Sequence, residues 1–480
     1  FSLSTAGNTN GSAVTYASWT FRKAEKFFDV VTYTGNATNR TISHNLGSTP
    51  ALILVKNMNI SSNWFVYNQN LTADAEDRYL ILNETTAESG VAATVWNRTA
   101  PTDSVFSVGT FEDVNGSGHT MVAYLFASDA GGFGDDEDES IIKCGTYTGN
   151  GGSSVNSVTV GFEPQWILVK NVTAAGSWAM YDTMRGWAVS ANSSDDARLF
   201  ANSSGAESLG NAFNPTATGF EFQLNNATWN NSGNNFIYMA IRRPMKTPTA
   251  GTEVFTMDTR GSTGDGVAPA YRSTWPVDMI FYKNYTSPSY STLTTSRLTA
   301  PNYLYTANTD AQNGTNSLHQ FDYENGYYND TGTGSTQLSW LFKRATGFMD
   351  VVAYTGTGSG TTQAHNLGVV PELAIVKRRD SSADWRVTTD FTNRGFLNDS
   401  AGFSTDPSFW NSGTSTSTTF PLGTNASINA SGGTYVTYLF ATVAGISKVG
   451  SYTGTGTGTT VDVDCGFTGG ARFILIKRTD

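Results

Sequence analysis

Four histidines, two cysteines and one short run of carboxylates are the side chains of this 480-residue sequence best suited to chemistry. His44 and His365 each open the same tetrapeptide, His-Asn-Leu-Gly. A position duplicated in this way fits a turn imidazole bonded to nearby backbone better than a catalytic base. His119 and His319 have no neighbours at metal-ligand spacing. Asp135, Asp136, Glu137, Asp138 and Glu139 offer hard oxygen ligands for Ca²⁺, but the glycine spacing of an EF-hand is absent and a solvated linker is expected. Glu163 and Glu372 stand near strand starts and evoke the paired acids of a glycosidase. Nothing in their spacing sets two acids across one cleft, so a carbohydrate-active β-sandwich enzyme is only a weak alternative. Cys144 and Cys465 occupy unlike repeat positions and are expected to be small buried hydrophobes. No nucleophile elbow, phosphate loop or zinc-binding His-Glu-x-x-His is present. The expectation is a non-enzymatic protein with no catalytic, cofactor-binding or metal-ligating residue.

One modification signal is abundant. Asn-x-Ser/Thr occurs at Asn10, Asn36, Asn39, Asn59, Asn70, Asn83, Asn97, Asn115, Asn171, Asn192, Asn202, Asn226, Asn230, Asn284, Asn313, Asn329, Asn398, Asn425 and Asn429. These are nineteen of thirty-nine asparagines. With Ser and Thr near a quarter of the chain, chance supplies roughly nine or ten acceptor sites. Most fall in loops and strand ends, where a bulky sugar stays in solvent, so covalent N-linked glycans are expected at these positions. The competing reading is that Asn, Ser and Thr gather in turns for conformational reasons.

Internal repeats indicate what must position these residues. Residues 28–71 and 348–391 share D-V-V-x-Y-T-G, then H-N-L-G-x-x-P, a strand ending in V-K, and a Trp, at a spacing read as 320 residues. A second version begins at Ile141 with I-I-K-C-G-T-Y-T-G and returns at Ile446. A weaker third contains W-P-V-D-M-I-F-Y-K-N from Trp275. The organisation read from these matches is 1–27 as the end of a preceding module, 28–131 as type 1, 140–247 as type 2 and 250–345 as type 3. Residues 346–445 then repeat type 1, and 446–480 open another type 2. Runs such as A-L-I-L-V-K-N are β-branched and apolar between Gly, Asn and Pro, which predicts short strands. No window beyond about ten residues holds a 3.6-residue apolar period. The fold class expected is all-β: tandem antiparallel β-sandwich modules in a repeating three-module cycle, with a β-barrel as the competitor. Trp64, Trp178 and Trp385 recur after the V-K strand and are expected to anchor cores.

Composition excludes other classes. The net charge is −11 and no Lys/Arg cluster offers a phosphate-neutralising face, so no nucleic acid is expected. No stretch reaches the roughly 20 apolar residues of a membrane span. Both ends of the sequence fall inside modules, so either it is a window on a longer protein or each end completes a neighbouring subunit by strand complementation, and self-association into a fibre is the expectation.

The frames F-R-K-A-x-K-F-F-D-V-V-T-Y-T-G (from Phe21), H-N-L-G-x-x-P, Y-x-x-Y-L-F-A and G-F-E-P-Q-W-I-L-V-K resemble the repeated modules of large tail-fibre-like virion structural proteins of tailed phages of marine bacteria and cyanobacteria. The resemblance spans nearly the whole chain and is weakest at 250–338. It implies a virion or appendage role, with no active-site motif to carry over. Two readings follow: a structural subunit of an extracellular, N-glycosylated cell-surface filament, or a phage tail-fibre or virion appendage protein that binds a host surface, with a cell-surface or glycan receptor as partner.

Overall fold

A computed structural model describes all residues except 1, 4, 73, 91, 153–154, 190–195, 211, 223–227, 261–268, 287–290, 315–318, 330–335 and 412. These residues form two compact units, Phe1–Ile81 with Ser89–Ala130, and Leu82–Glu88 with Gly131–Asp480.

In the first unit the D-V-V-T-Y-T frame becomes β1 (Phe28–Thr34). It is followed by β2 (Arg40–Ser43), β3 (Leu52–Asn57), β4 (Trp64–Asn68), β5 (Leu80–Ile81), β6 (Val105–Val108) and β7 (Thr120–Phe126). The large sheet has the order β1-β7-β3-β4-β5, and β2 pairs with β6 in a separate small sheet. β7 is central, pairing antiparallel with β1 from Phe28↔Phe126 to Thr34↔Thr120 and with β3 from Leu52↔Phe126. β7 is apolar from Met121 to Phe126 and buries Met121, Ala123, Leu125 and Phe126.

The second unit repeats this plan. Around 140–247 a six-stranded sheet (Ile142–Thr148, Pro164–Asn171, Ala179–Asp182, Ala197–Phe200, Ser208–Leu209, Asn235–Arg242) faces a three-stranded one (Asn156–Thr159, Phe213–Thr216, Gly219–Phe222). Their core interleaves Val158, Phe213, Phe220 and Phe222 with Ile167, Val169, Tyr181, Phe236 and Tyr238. Five- and three-stranded sheets form 250–345, and six- and two-stranded sheets form 346–445. The architecture is all-β, of open antiparallel sheets packed as sandwiches, and no sheet among the described residues closes into a barrel.

Two expectations change. The type 1 spacing is 321 residues: Asp29 and Asp350 take equivalent positions, as do His44 and His365 and Lys56 and Lys377. The extra residue is Met349, which precedes Asp350 where Phe28 precedes Asp29. Residues 446–480 carry the type 2 sequence yet form no strand. Ile474, Leu475 and Ile476 are 67%, 49% and 63% exposed, whereas the matching Ile167, Leu168 and Val169 are 0%, 5% and 0% exposed. In 140–247 the strand Asn235–Arg242 covers those residues by pairing on both edges, and 446–480 pairs with no such strand.

Candidate functional site

The repeated frames serve one local purpose. Tyr33, Tyr147 and Tyr354 of Y-T-G donate their hydroxyls to the carbonyls of Val114, Trp229 and Ile428 at 2.6, 2.9 and 2.7 Å. The asparagine after each of those residues turns inward. The side-chain oxygens of Asn115, Asn230 and Asn429 accept from the amides of Asn36, Asn150 and Thr357 at 3.1, 2.9 and 2.8 Å. Asn115 and Asn429 also donate to the Gly109 and Gly423 carbonyls. The motif's glycine is required because a Cβ on Gly35, Gly149 or Gly356 would sit 2.1, 2.1 or 2.3 Å from a carbonyl oxygen across the turn. This Tyr-Gly-Asn latch closes the sandwiches of 28–131, 140–247 and 346–445.

The latch corrects the glycosylation expectation. Asn115, Asn171, Asn230, Asn329 and Asn429 are at most 5% exposed. A glycan cannot occupy a closed interior, and three of the five, Asn115, Asn230 and Asn429, are the latch asparagines, whose side chains bond across the turn. Asn70, Asn97, Asn202, Asn284, Asn398 and Asn425 are half-buried. Of these, Asn202 and Asn398 accept from the amides of Trp178 and Trp385 at 2.7 and 2.9 Å. Asn10, Asn36, Asn39, Asn59, Asn83 and Asn313 are exposed. Asn192 and Asn226 lie outside the described residues.

The other singled-out residues are placed as follows. His44 and His365 each accept from the amide two residues on, both at 3.2 Å, and each ring's Nε2 meets a carbonyl, of Thr102 or Thr416. Burial pushes both imidazoles below the ordinary range. His119 contacts the Asn57 amide at 3.0 Å, and buried His319 contacts the Tyr327 hydroxyl. Trp178 and Trp385 are 1% exposed, and Trp64 is half-buried. Cys144 is buried, which pushes its thiol up to about 12, while Cys465 is half-buried rather than in a core. The acidic run is solvated, with Asp135, Asp136, Glu137 and Asp138 exposed, and it folds as a turn. Phe133 and Glu139 bridge across it, Glu139 pairs with Arg242 at 2.6 Å, and Asp135 accepts from Thr247 at 2.9 Å. No group of three or more His, Cys, Asp or Glu side chains that could hold a metal occurs among the described residues.

Glu163 belongs to a cluster that no motif announces. Six charges meet inside the second unit: Glu163 and Arg243 from 140–247, Asp278 and Arg297 from 250–345, Arg344 at the next boundary, and Asp350. The Arg344 guanidinium grips both Glu163 oxygens at 2.7 and 2.5 Å and donates through Nε to Asp350 at 2.7 Å. Its backbone amide donates to Asp278 at 2.8 Å. Arg243 stands 3.7–3.9 Å from Glu163, Asp278 and Asp350, and Arg297 stands 3.4 Å from Asp278. All six side chains are at most 7% exposed. Three cations and three anions balance, which is the condition for burying charge at all. Burial alone would lower the Arg344 pKa, but Asp350 and Glu163 outweigh it and hold the group firmly charged. Burial would raise Asp350, and Arg344 with Arg243 pull it below the carboxylate range instead. Arg243 is shifted down by burial and then by Arg344.

A shared apolar core lies beside this cluster, with Val189, Met279, Phe281, Leu298, Met349, Ile375, Trp385 and Tyr438 drawn from all three segments. A concavity of about 580 Å³ near the boundary is lined by Pro244, Lys246, Trp275, Lys343 and Arg344 among others, with Glu253 the one carboxylate among the described lining residues.

The last feature is a dock at the end of the V-K strand. In the second unit Lys170 Nζ donates to the Thr85 carbonyl at 2.9 Å, Gly176 N donates to the same oxygen at 2.8 Å, and Glu88 N donates to Val172 O at 3.0 Å. In 346–445 Lys377 Nζ donates to Thr309 O at 2.9 Å, Ala383 N to the same oxygen at 2.8 Å, and Gln312 N to Arg379 O at 2.8 Å. An extended loop with one doubly bonded carbonyl is thus held by the same three groups at two places. A third, partial dock joins Phe403 N to Thr479 O at 2.7 Å and Lys477 Nζ to Ala401 O at 3.0 Å. Burial pushes Lys170 and Lys377 each down to about 8.

A family model described as a domain of unknown function, DUF7483, matches residues 2–244 and again residues 256–480, and the chain belongs to that family. No curated protein and no solved structure matches the chain.

Proposed function

We propose that the chain is a non-enzymatic structural subunit of an extracellular fibre or filament, assembled from type 1, type 2 and type 3 sandwiches in a three-module cycle. The observation that carries this reading is the dock, a lysine-to-loop joint repeated with the same bonds at successive modules. Buried polar groups support it: the latch closes three of the four sandwiches and the six-charge cluster ties three segments. Among the sequons, the exposed Asn10, Asn36, Asn39, Asn59, Asn83 and Asn313 are the glycan acceptors this reading retains.

The second reading, a phage-type tail-fibre or virion appendage that meets a host surface, is favoured by the burial of five sequon asparagines. Glycans were what set a secreted filament apart from a virion part, and that signal is now smaller. Electron microscopy of the purified chain tests the fibre, with filaments of regular axial repeat expected. Monodisperse single particles at high concentration would remove it. Intact mass before and after enzymatic deglycosylation, on protein from the native source, separates the two readings. A mass drop supports the glycosylated filament, and an unchanged mass supports the virion appendage.

A further inference from the structure

The boundary between 140–247 and 250–345 is longer than the repeat requires. Arg242 and Lys343 are equivalent, since each amide donates to the residue preceding its own module's first strand, Ile141 and Val254. From Arg242 to Val254, which precedes the next module's first strand, the chain takes 12 positions; from Lys343 to Phe348, at the following boundary, it takes 5. The added residues supply Pro244, Lys246 and Pro248 to the 580 Å³ concavity, a size within the roughly 300–1,000 Å³ of small-ligand sites. Insertions into a repeat commonly gather on the face that binds.

The lining is of mixed chemistry. Pro244, Pro248, Trp275 and Ala345 give apolar surface, and the Trp275 indole is fixed by donating to Thr252 O at 2.9 Å. Lys246 and Lys343 bring two ammoniums, the first exposed and the second half-buried. No hydrogen bond or close ion pair ties either ammonium to a described residue. Arg344 lines the concavity too, but Glu163 and Asp350 already engage its guanidinium. Glu253 is held below the carboxylate range by donation from Thr249 N and Oγ1 at 3.0 and 2.9 Å, and then by the two lysines. Each of its oxygens keeps a lone pair for a further donor.

We infer that this concavity binds a saccharide carrying one carboxylate, which Lys246 and Lys343 pair while the apolar wall covers a C–H face of the ring. Glu253 and the hydroxyls of Thr252 and Thr274 serve the sugar hydroxyls. A neutral apolar guest fits poorly, because it would desolvate two ammoniums and return no partner. A polyphosphate fits poorly as well. Glu253 repels it, as does the acidic turn, whose Asp135 accepts from Thr247 of the added stretch at 2.9 Å. No glycine stands among the described lining residues to offer it a cradle of amides. The site depends on neither reading of assembly: filaments, single particles or glycan mass leave it as it is, and its failure leaves those readings as they are.

The probes are the methyl glycosides of glucuronic, galacturonic and N-acetylneuraminic acid, titrated against the full chain by saturation-transfer NMR, with methyl glucoside and methyl galactoside as neutral counterparts. Saturable transfer from at least one acidic glycoside is expected. The neutral sugars should bind about tenfold more weakly or less, the factor of one hydrogen bond to a charged group. Lys246→Gln combined with Lys343→Gln should bring the acidic glycoside down to the neutral level, whereas Lys246→Arg with Lys343→Arg should retain binding. Salt gives a check that needs no variant: with Lys246 exposed, affinity should fall as ionic strength rises. Absence of binding by all three acids, equal binding of acidic and neutral sugars, or indifference to the glutamine pair or to salt would overturn the site.

Discussion

Asn429 and Asn313 carry the same acceptor triplet and play opposite parts. Asn429 is 0% exposed and bonds to Thr357 N, Ser359 O and Gly423 O, whereas Asn313 lies exposed. Replacing Asn429 by Ala leaves buried backbone groups unpaired and should cost about 1–3 kcal/mol per orphaned group in urea unfolding. It should leave any glycan mass unchanged. Asn313→Ala should do the reverse, with stability held and glycan mass lost if the site is occupied. His319 sets a pH expectation. Burial holds its imidazole at about 4, below the 6.5 of an exposed ring. As pH falls the unfolded chain takes up the proton first, so the contribution is complete above 6.5 and is lost as pH falls through about 4. The loss amounts to at most about 3 kcal/mol. His44 and His365 are shifted the same way. His319→Gln should flatten the fall in unfolding midpoint between those two pH values.

At the scale of elements, the six-charge cluster decides how three segments meet. Removing Arg344 strands the buried carboxylates of Glu163 and Asp350. Arg344→Met should therefore cost about 3–5 kcal/mol, read as a lower denaturation midpoint. Adding Glu163→Gln to Arg344→Met should recover part of that loss, because two cations and two carboxylates then remain. A double variant less stable than the single one would contradict a cluster held by charge balance. High salt should change little, since pairs so deeply buried are poorly screened.

Across the whole molecule, the fibre reading predicts a ceiling on modification. Deglycosylation should remove no more mass than the exposed Asn10, Asn36, Asn39, Asn59, Asn83 and Asn313 can carry, together with anything borne by Asn192 and Asn226. Sugar mapped by peptide mass spectrometry to Asn115, Asn230 or Asn429 would require an open sandwich and would contradict the latch.

Strand positions, the two-sheet plan and the turn role of His44 and His365 were legible in the chain alone. Alternating apolar runs between glycines leave few other structures, and a duplicated histidine points to scaffold. The inward asparagines left two readings open in the chain alone, because a latch asparagine with Ser two residues on spells the same triplet as a glycan acceptor; burial sets Asn115, Asn230 and Asn429 apart. The charge cluster was invisible because its members, from Glu163 to Asp350, lie 187 positions apart in segments with unlike frames. The dock hid for a related reason: its lysine is part of the repeat, but its partner is a backbone carbonyl on a neighbouring loop, and every residue has one. Local sequence thus determines which elements form, since propensity and periodicity act over a few residues. Which polar groups meet is decided by tertiary structure, because desolvation and pairing depend on what the fold brings within hydrogen-bond reach.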